Sequence, residues 1–378
     1  MASITYEIDR GGDLDLVLKD PNTLRIVPTL CKEAEDDSDD PFDNPPLVGR
    51  YEIFNEADDD GRDPEEAGVS DLGTTAVPAI SEVRMRVSSR HLILASRTFR
   101  KMLEGDWSES SSAAIESGRR QIQTTGWDAA ALAIVLDAIH GRYHDIPRAT
   151  NLGLLTRIAI IVDYYQCHES LKLIGEVWVA NLAPAWTVPT NYCQSTLLWL
   201  YISWVFAENN ITSDLTKMLL EQSEGLSEID LHDVPLGGII DIIETKRQEL
   251  MSKLMNGFED LRETLTKEDG CLRKANPTCS ATMLGILIRE QNKLNLSVPP
   301  LISPYRGYSI SSLKKRIANF PAPKQDHDDG NSYGAGWYNH EISPCTIEAR
   351  LGGLFKEIDD DMKEFRFDYS GGKSKERG

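Results

Sequence analysis

No apolar run in this chain of 378 residues is long enough to cross a bilayer. The most apolar window, LLWLYISWVF at 197–206, falls well short of the roughly 20 residues that a spanning helix needs, and it reads as a buried helix. The opening MASITYEIDRGGDLDLVL has neither the basic nor the apolar region of a signal peptide. Cysteine is sparse, with 6 residues scattered along the chain. Without an export signal they are expected as reduced thiols, which places the chain in the cytoplasm, the nucleus or both. Positive charge is also short: 40 Lys and Arg stand against 60 Asp and Glu, a formal net charge of −20. No basic run interleaved with aromatics offsets this, so nucleic-acid phosphates would be repelled.

Chemistry-bearing motifs are equally scarce. No glycine-rich phosphate cradle follows a strand; Gly11 and Gly12 precede one. Cys167 and His168 are adjacent, but neighbouring helical positions point about 100° apart, and a nucleophile and its base must lie within hydrogen-bond reach. Cys271, Cys279, His340 and Cys345 have the donor types of a structural zinc site. The eight-residue spacing of the first pair is wider than the short loops of zinc knuckles, so no metal is assigned. The reading is of a protein that is not an enzyme and carries no cofactor.

What the chain does have is a concentration of acid. Most of the negative excess falls between Cys31 and Ile80, in stretches such as CKEAEDDSDDPFDNPPLVGR and NEADDDGRDPEEAG. These cannot bury enough apolar surface to offset the entropy of ordering, and 31–80 is expected to be largely disordered. RYEIF, 50–54, is an apolar island within it, read either as a chance cluster or as a short docking motif.

Around this insert the patterning is regular. DLDLVL, 13–18, alternates as a strand with Leu14, Leu16 and Leu18 on one face, and LRIVPTL, 24–30, begins a second alternation. RMRVSSRHLILASRTFRKML gives a strand through Met85 and Val87. Two short helices follow, the first capped by Ser88 or Ser89 and the second by Ser96. Arg120–Thr124 forms another strand. Trp127, Leu132, Val135, Leu136 and Ile139 trace a helix ending at Gly141, and 154–167 and 168–182 form a helix pair. A small sheet covered by helices fits this order, in the α+β class. From 192 to 320 the chain reads as helical, with a long amphipathic helix over 239–267. Arg247 and Gly257 interrupt its apolar seam, which favours packing within a domain over an intermolecular zipper. The tail from 321 contains an amphipathic segment at 346–365.

The residues VSSRHLILASRTFRKML resemble the central signature of BTB/POZ domains: a strand valine, then leucine, serine, an aromatic residue and a hydrophobic helix. Leu92, Ser96, Phe99, Met102 and Leu103 fall on its expected positions. DLDLVL looks like the first strand of such a domain. The stretches LDAIHGR, VDYYQCHE and WLYISWVF are similar to those of filamentous-fungal BTB proteins. Two features depart from the animal pattern: Ser88 stands where a histidine is usual, and the acidic insert separates strands that are normally close.

This resemblance implies a BTB/POZ-like domain over 1–182 that includes the insert at 31–80. A mainly α-helical domain over 190–320 and a loop with a partly ordered tail over 321–378 would follow. It also implies a non-catalytic protein–protein interaction adaptor or scaffold. One form is a substrate adaptor for a cullin ubiquitin ligase, and Ile115 and Glu116 in SSSAAIESGRR would then meet the cullin. The other is a transcription- or chromatin-associated regulatory scaffold using the acidic insert, with Phe42, Tyr51 and Phe54 as contacts. Nucleic acid and membrane are not among the expected partners. With 12 residues before Asp13, weak or no self-association is expected.

Overall fold

A computed structural model describes residues 2–30, 46–55, 80–105, 115–116, 119–182, 187–268, 277–296, 300–323 and 345–367. The chain is mixed α/β and divides into two compact units. One comprises 1–189, 193–212 and 230–235; the other comprises 190–192, 213–229 and 236–378.

The first unit is organised by a five-stranded sheet of order β1-β3-β2-β5-β4 among the described residues. β2 (Leu14–Lys19) pairs antiparallel with β3 (Ile80–Val87), in a register that sets Leu14 opposite Val87 and Leu18 opposite Val83. β5 (Arg119–Thr125) runs parallel to the other side of β2, and β4 (Ile115–Glu116) pairs antiparallel with β5 at one edge. Leu14, Leu16 and Leu18 are buried as their alternation predicts, and so are Val83, Met85 and Val87.

The expected second strand at 24–30 does not form: Thr29 makes one isolated bridge to Asp230. Pro28 interrupts the segment, because it has no N–H to donate to a ladder. The strand that does form, β1 (Ala2–Glu7), runs parallel to β3 and occupies the opposite edge.

Gly12 makes the entry to β2 possible. A Cβ there would lie 2.6 Å from the carbonyl oxygen of Val87, so no other residue tolerates this approach. Asp13 is next in the chain and caps the first helix, α1 (Ser89–Ala95). Its carboxylate accepts from the Ser89 N–H at 2.8 Å and from the Ser89 hydroxyl at 2.6 Å. The cap expected from Ser88 or Ser89 is therefore supplied from 76 residues away. Ser96 does cap the second helix, α2 (Arg97–Glu104), accepting from the Phe99 N–H at 2.9 Å. Its hydroxyl also donates to the carbonyl of Tyr165, whose ring stacks on Phe99 at 4.2 Å. One serine thus joins α2 to the end of α4 (Leu152–Tyr165). Ser96→Ala removes both bonds and is expected to lower stability by about 1–2 kcal/mol. Urea unfolding followed by tryptophan fluorescence measures this, and a loss below about 0.5 kcal/mol would show that the two bonds contribute little.

Every position of α3 (Ala129–Ile139) is buried, which requires apolar residues all round it. α4 and α5 (His168–Ala180) follow as a pair, and α6 (Gln194–Val205) packs on α4. The apolar window at 197–206 is therefore a buried helix, as expected. It belongs to the first unit, however, and not to a helical domain beginning at 190. A helix that is apolar on every side must be covered, and its sequence does not say by what.

In the second unit α8 (Gly237–Lys267) packs against α9 (Pro277–Lys293) and α11 (Ile347–Glu364), and α10 (Ile310–Ala318) packs against α11. α7 (Asn209–Gln222) spans the division between the units. The amphipathic tail segment is thus a helix of this unit. Gly257 is not a flaw in the α8 seam: a Cβ there would lie 2.1 Å from Cδ2 of Leu354, so the glycine admits that side chain from α11.

Candidate functional site

The sequence places one ionisable residue, Asp137, inside α3, and four side chains converge on it. Asp137 is 0% exposed. Its Oδ2 accepts hydrogen bonds from the hydroxyls of Tyr6 on β1 at 2.7 Å and Tyr51 at 2.8 Å. Tyr51 lies on a short 3-10 helix, Gly49–Phe54. The other oxygen has ion-pair contacts with Arg50 Nη1 at 3.5 Å and Arg142 Nε at 3.7 Å.

Arg50 bridges outward. It donates to Asp145 at 3.1 Å and to the Glu7 carbonyl at 2.7 Å, and its guanidinium lies 4.4 Å above the Tyr6 ring. Tyr6 also contacts the rings of Tyr51 and Phe54, with centroids 6.2 Å and 5.2 Å away.

Burial sets the ionisation of this cluster. Desolvation pushes the Asp137 carboxyl above its usual range, although both tyrosine hydroxyls and both arginines pull it back. Tyr6 and Tyr51 are held neutral, first by burial and then by the carboxylate they face. Asp145, near the surface, is held low by its bond to Arg142. The carboxylate and both tyrosine hydroxyls are buried, while Arg142 and Asp145 reach the surface. The physical effect of the network is to clasp the 3-10 helix and β1 onto α3.

This overturns two expectations. Residues 46–55 are part of the folded unit and not of a disordered insert. Tyr51 and Phe54 are 2% and 6% exposed, so they are core contacts and not an exposed docking motif. Phe42 lies outside the described residues. The signal that the sequence carried was Asp137 itself, a single acid within AAALAIVLDAI, since a carboxylate on a buried helix demands partners.

Ile115 and Glu116, the residues expected to meet a cullin, form β4. Ile115 is opposite Arg120, and Glu116 is opposite Arg119. Val87, Leu92, Ser96, Phe99 and Leu103 are buried and Met102 is half-buried, so these residues serve the packing of the first unit.

Cys167 is fully buried with its Sγ against the Val162 carbonyl, and burial pushes its thiol up to about 12, which leaves it without thiolate character. Cys271 and His340 lie outside the described residues, and among those described no group of three or more His, Cys, Asp or Glu is placed to hold a metal ion. No helix among them is long and apolar enough to cross a membrane. No protein-family model and no curated protein sequence matches the chain.

Proposed function

We propose that this chain is a non-catalytic protein–protein interaction adaptor or scaffold built on a BTB/POZ-like unit, and that it serves as a substrate adaptor for a cullin ubiquitin ligase. The observation that carries the reading is the agreement of element order with signature chemistry. β2, β3, the two short helices, β5, α3 and the α4–α5 pair follow the expected order, with β1, the 3-10 helix and β4 added to it. The signature serine and phenylalanine then tie the two short helices to the later pair through Tyr165. In this reading the edge strand bearing Ile115 and Glu116 meets the cullin, and the second unit receives the substrate.

Calorimetry of the full-length chain with a purified cullin amino-terminal region tests it. Micromolar or tighter binding is expected, with a loss of roughly 10-fold in Glu116→Lys. Heat signals no different from dilution would remove the ligase form. The regulatory-scaffold alternative would then have to rest on the acidic stretches alone, since Tyr51 and Phe54 are committed to the core.

A further inference from the structure

We propose that the outward face of the α1–α2 hairpin binds an acidic segment of a partner protein, one that carries an apolar side chain among its carboxylates. Arg97, Arg100, Lys101 and Glu104 are the exposed positions of α2, at spacings of three and four opposite buried Phe99 and Leu103. On α1, Arg90 and Leu94 are exposed one turn apart.

The two helices present one surface because Arg100 folds back across the junction. Its Nε and Nη2 donate to the Ile93 carbonyl at 3.2 and 3.1 Å, beside Leu94. Leu94 is 81% exposed. At the other side of the α2 N-terminus, Thr98 Oγ1 donates to the carbonyl of Tyr164, whose residue is 58% exposed.

The charge pattern is what distinguishes this face. The chain has 60 acids for 40 bases. In the first unit Arg50, Arg84, Arg86, Arg119 and Arg142 stand in ion pairs, whereas the open cations Arg10, Lys19, Arg25, Arg148 and Lys172 are scattered along the sequence and those of α1 and α2 fall on two successive helices. Among the described residues, Arg90, Arg97, Arg100 and Lys101 pair with no carboxylate. Four neighbouring cations left open in an acid-rich chain, around an exposed leucine and tyrosine, complement a short acidic strand or helix with one apolar side chain. A nucleic-acid duplex fits less well. It would meet the repulsive field of the whole chain along its length, whereas a short segment carries charge only where the face is positive.

This proposal does not depend on the cullin reading. Its test is fluorescence anisotropy of a labelled 12-residue peptide of Asp and Glu with one central Leu, titrated with the full-length chain. The expected result is saturable binding that weakens roughly 10-fold or more between low and physiological salt. Binding should weaken at least about 10-fold in Arg97→Glu/Lys101→Glu and about 5-fold in Leu94→Ser. If the double variant unfolds, Lys101→Glu alone serves, since Lys101 is exposed on the helix surface.

Absence of binding by the intact chain overturns the proposal, including the case where the chain's own acidic stretches or a second copy already hold the face. Binding that ignores charge reversal, or a 20-base-pair duplex that competes better than the peptide, overturns it equally.

Discussion

Asp137→Ala is expected to cost the first unit about 3–5 kcal/mol, because it leaves two buried tyrosine hydroxyls without their acceptor and removes the carboxylate facing two arginines. The clasp should open where it was closed. Hydrogen exchange of a peptide covering 46–55 should approach that of an unstructured chain while α3 stays protected. Asp137→Asn retains shape and one acceptor oxygen, and it should fall between the wild type and the alanine variant.

The sign of the pH dependence follows from the raised carboxyl. Its folded value lies above the ordinary 3.8, so the stability it contributes is present in acid and lost as pH rises through the folded value. The difference in unfolding free energy between wild type and Asp137→Asn should therefore be larger in acid than at neutral pH. A cost below 1 kcal/mol for Asp137→Ala, with exchange at 46–55 unchanged, would show that the 3-10 helix is held by its aromatic contacts alone.

Arg247→Met is expected to be the corresponding lesion in the second unit. Arg247 is fully buried, and its Nε and Nη2 each donate to Glu244 at 2.8 Å. It also reaches the carbonyls of Tyr308 at 3.3 Å and Pro304 at 2.6 Å, which ties α8 to the loop before α10. Burial pushes the Glu244 carboxyl up, but Arg247, Gln248 and the Leu226 N–H outweigh it, and the net direction is down.

Removing the guanidinium leaves that carboxylate buried with two of its bonds gone, at an expected cost of about 3–5 kcal/mol. The double variant Glu244→Leu/Arg247→Met should be less destabilised than Arg247→Met, because no charge is left uncompensated, and the coupling should exceed about 1 kcal/mol. Denaturant-dependent hydrogen exchange of peptides from 237–267 reads this unit directly. Additive single and double variants would mean that the pair is not acting as one unit.

The regular elements were legible in the sequence because their periods are local. Alternation marked β2, β3 and β5, and the 3.6-residue spacing marked α3, α4, α5 and α8. The misses have non-local causes. Tyr51 and Phe54 looked like an isolated cluster because their partners are distant in the chain: Asp137, 86 residues beyond Tyr51, and Tyr6, whose ring meets Phe54. α1 appeared to need a serine cap because the carboxylate that caps it lies on the far side of the insert. The interruption at Arg247 looked like a break in an apolar seam, whereas the three-residue spacing to Glu244 closes an ion pair within one helix turn. At α6 the sequence specified burial but not its cover, and the boundary drawn between 182 and 190 separated the helix from α4. Of the residues first assigned to partner contact, Tyr51 and Phe54 went to the core. The basic face of α2 was visible as spacing only once Phe99 and Leu103 fixed which side was inward.

The most direct measurement on the adaptor reading is an affinity purification of the tagged full-length protein from its own cells, with co-purifying proteins quantified by mass spectrometry. The expected result is at least one partner recovered near one-to-one with the chain, a cullin in the ligase form. Recovery of the chain alone, after rapid lysis and with chemical cross-linking, would contradict an adaptor role for this protein.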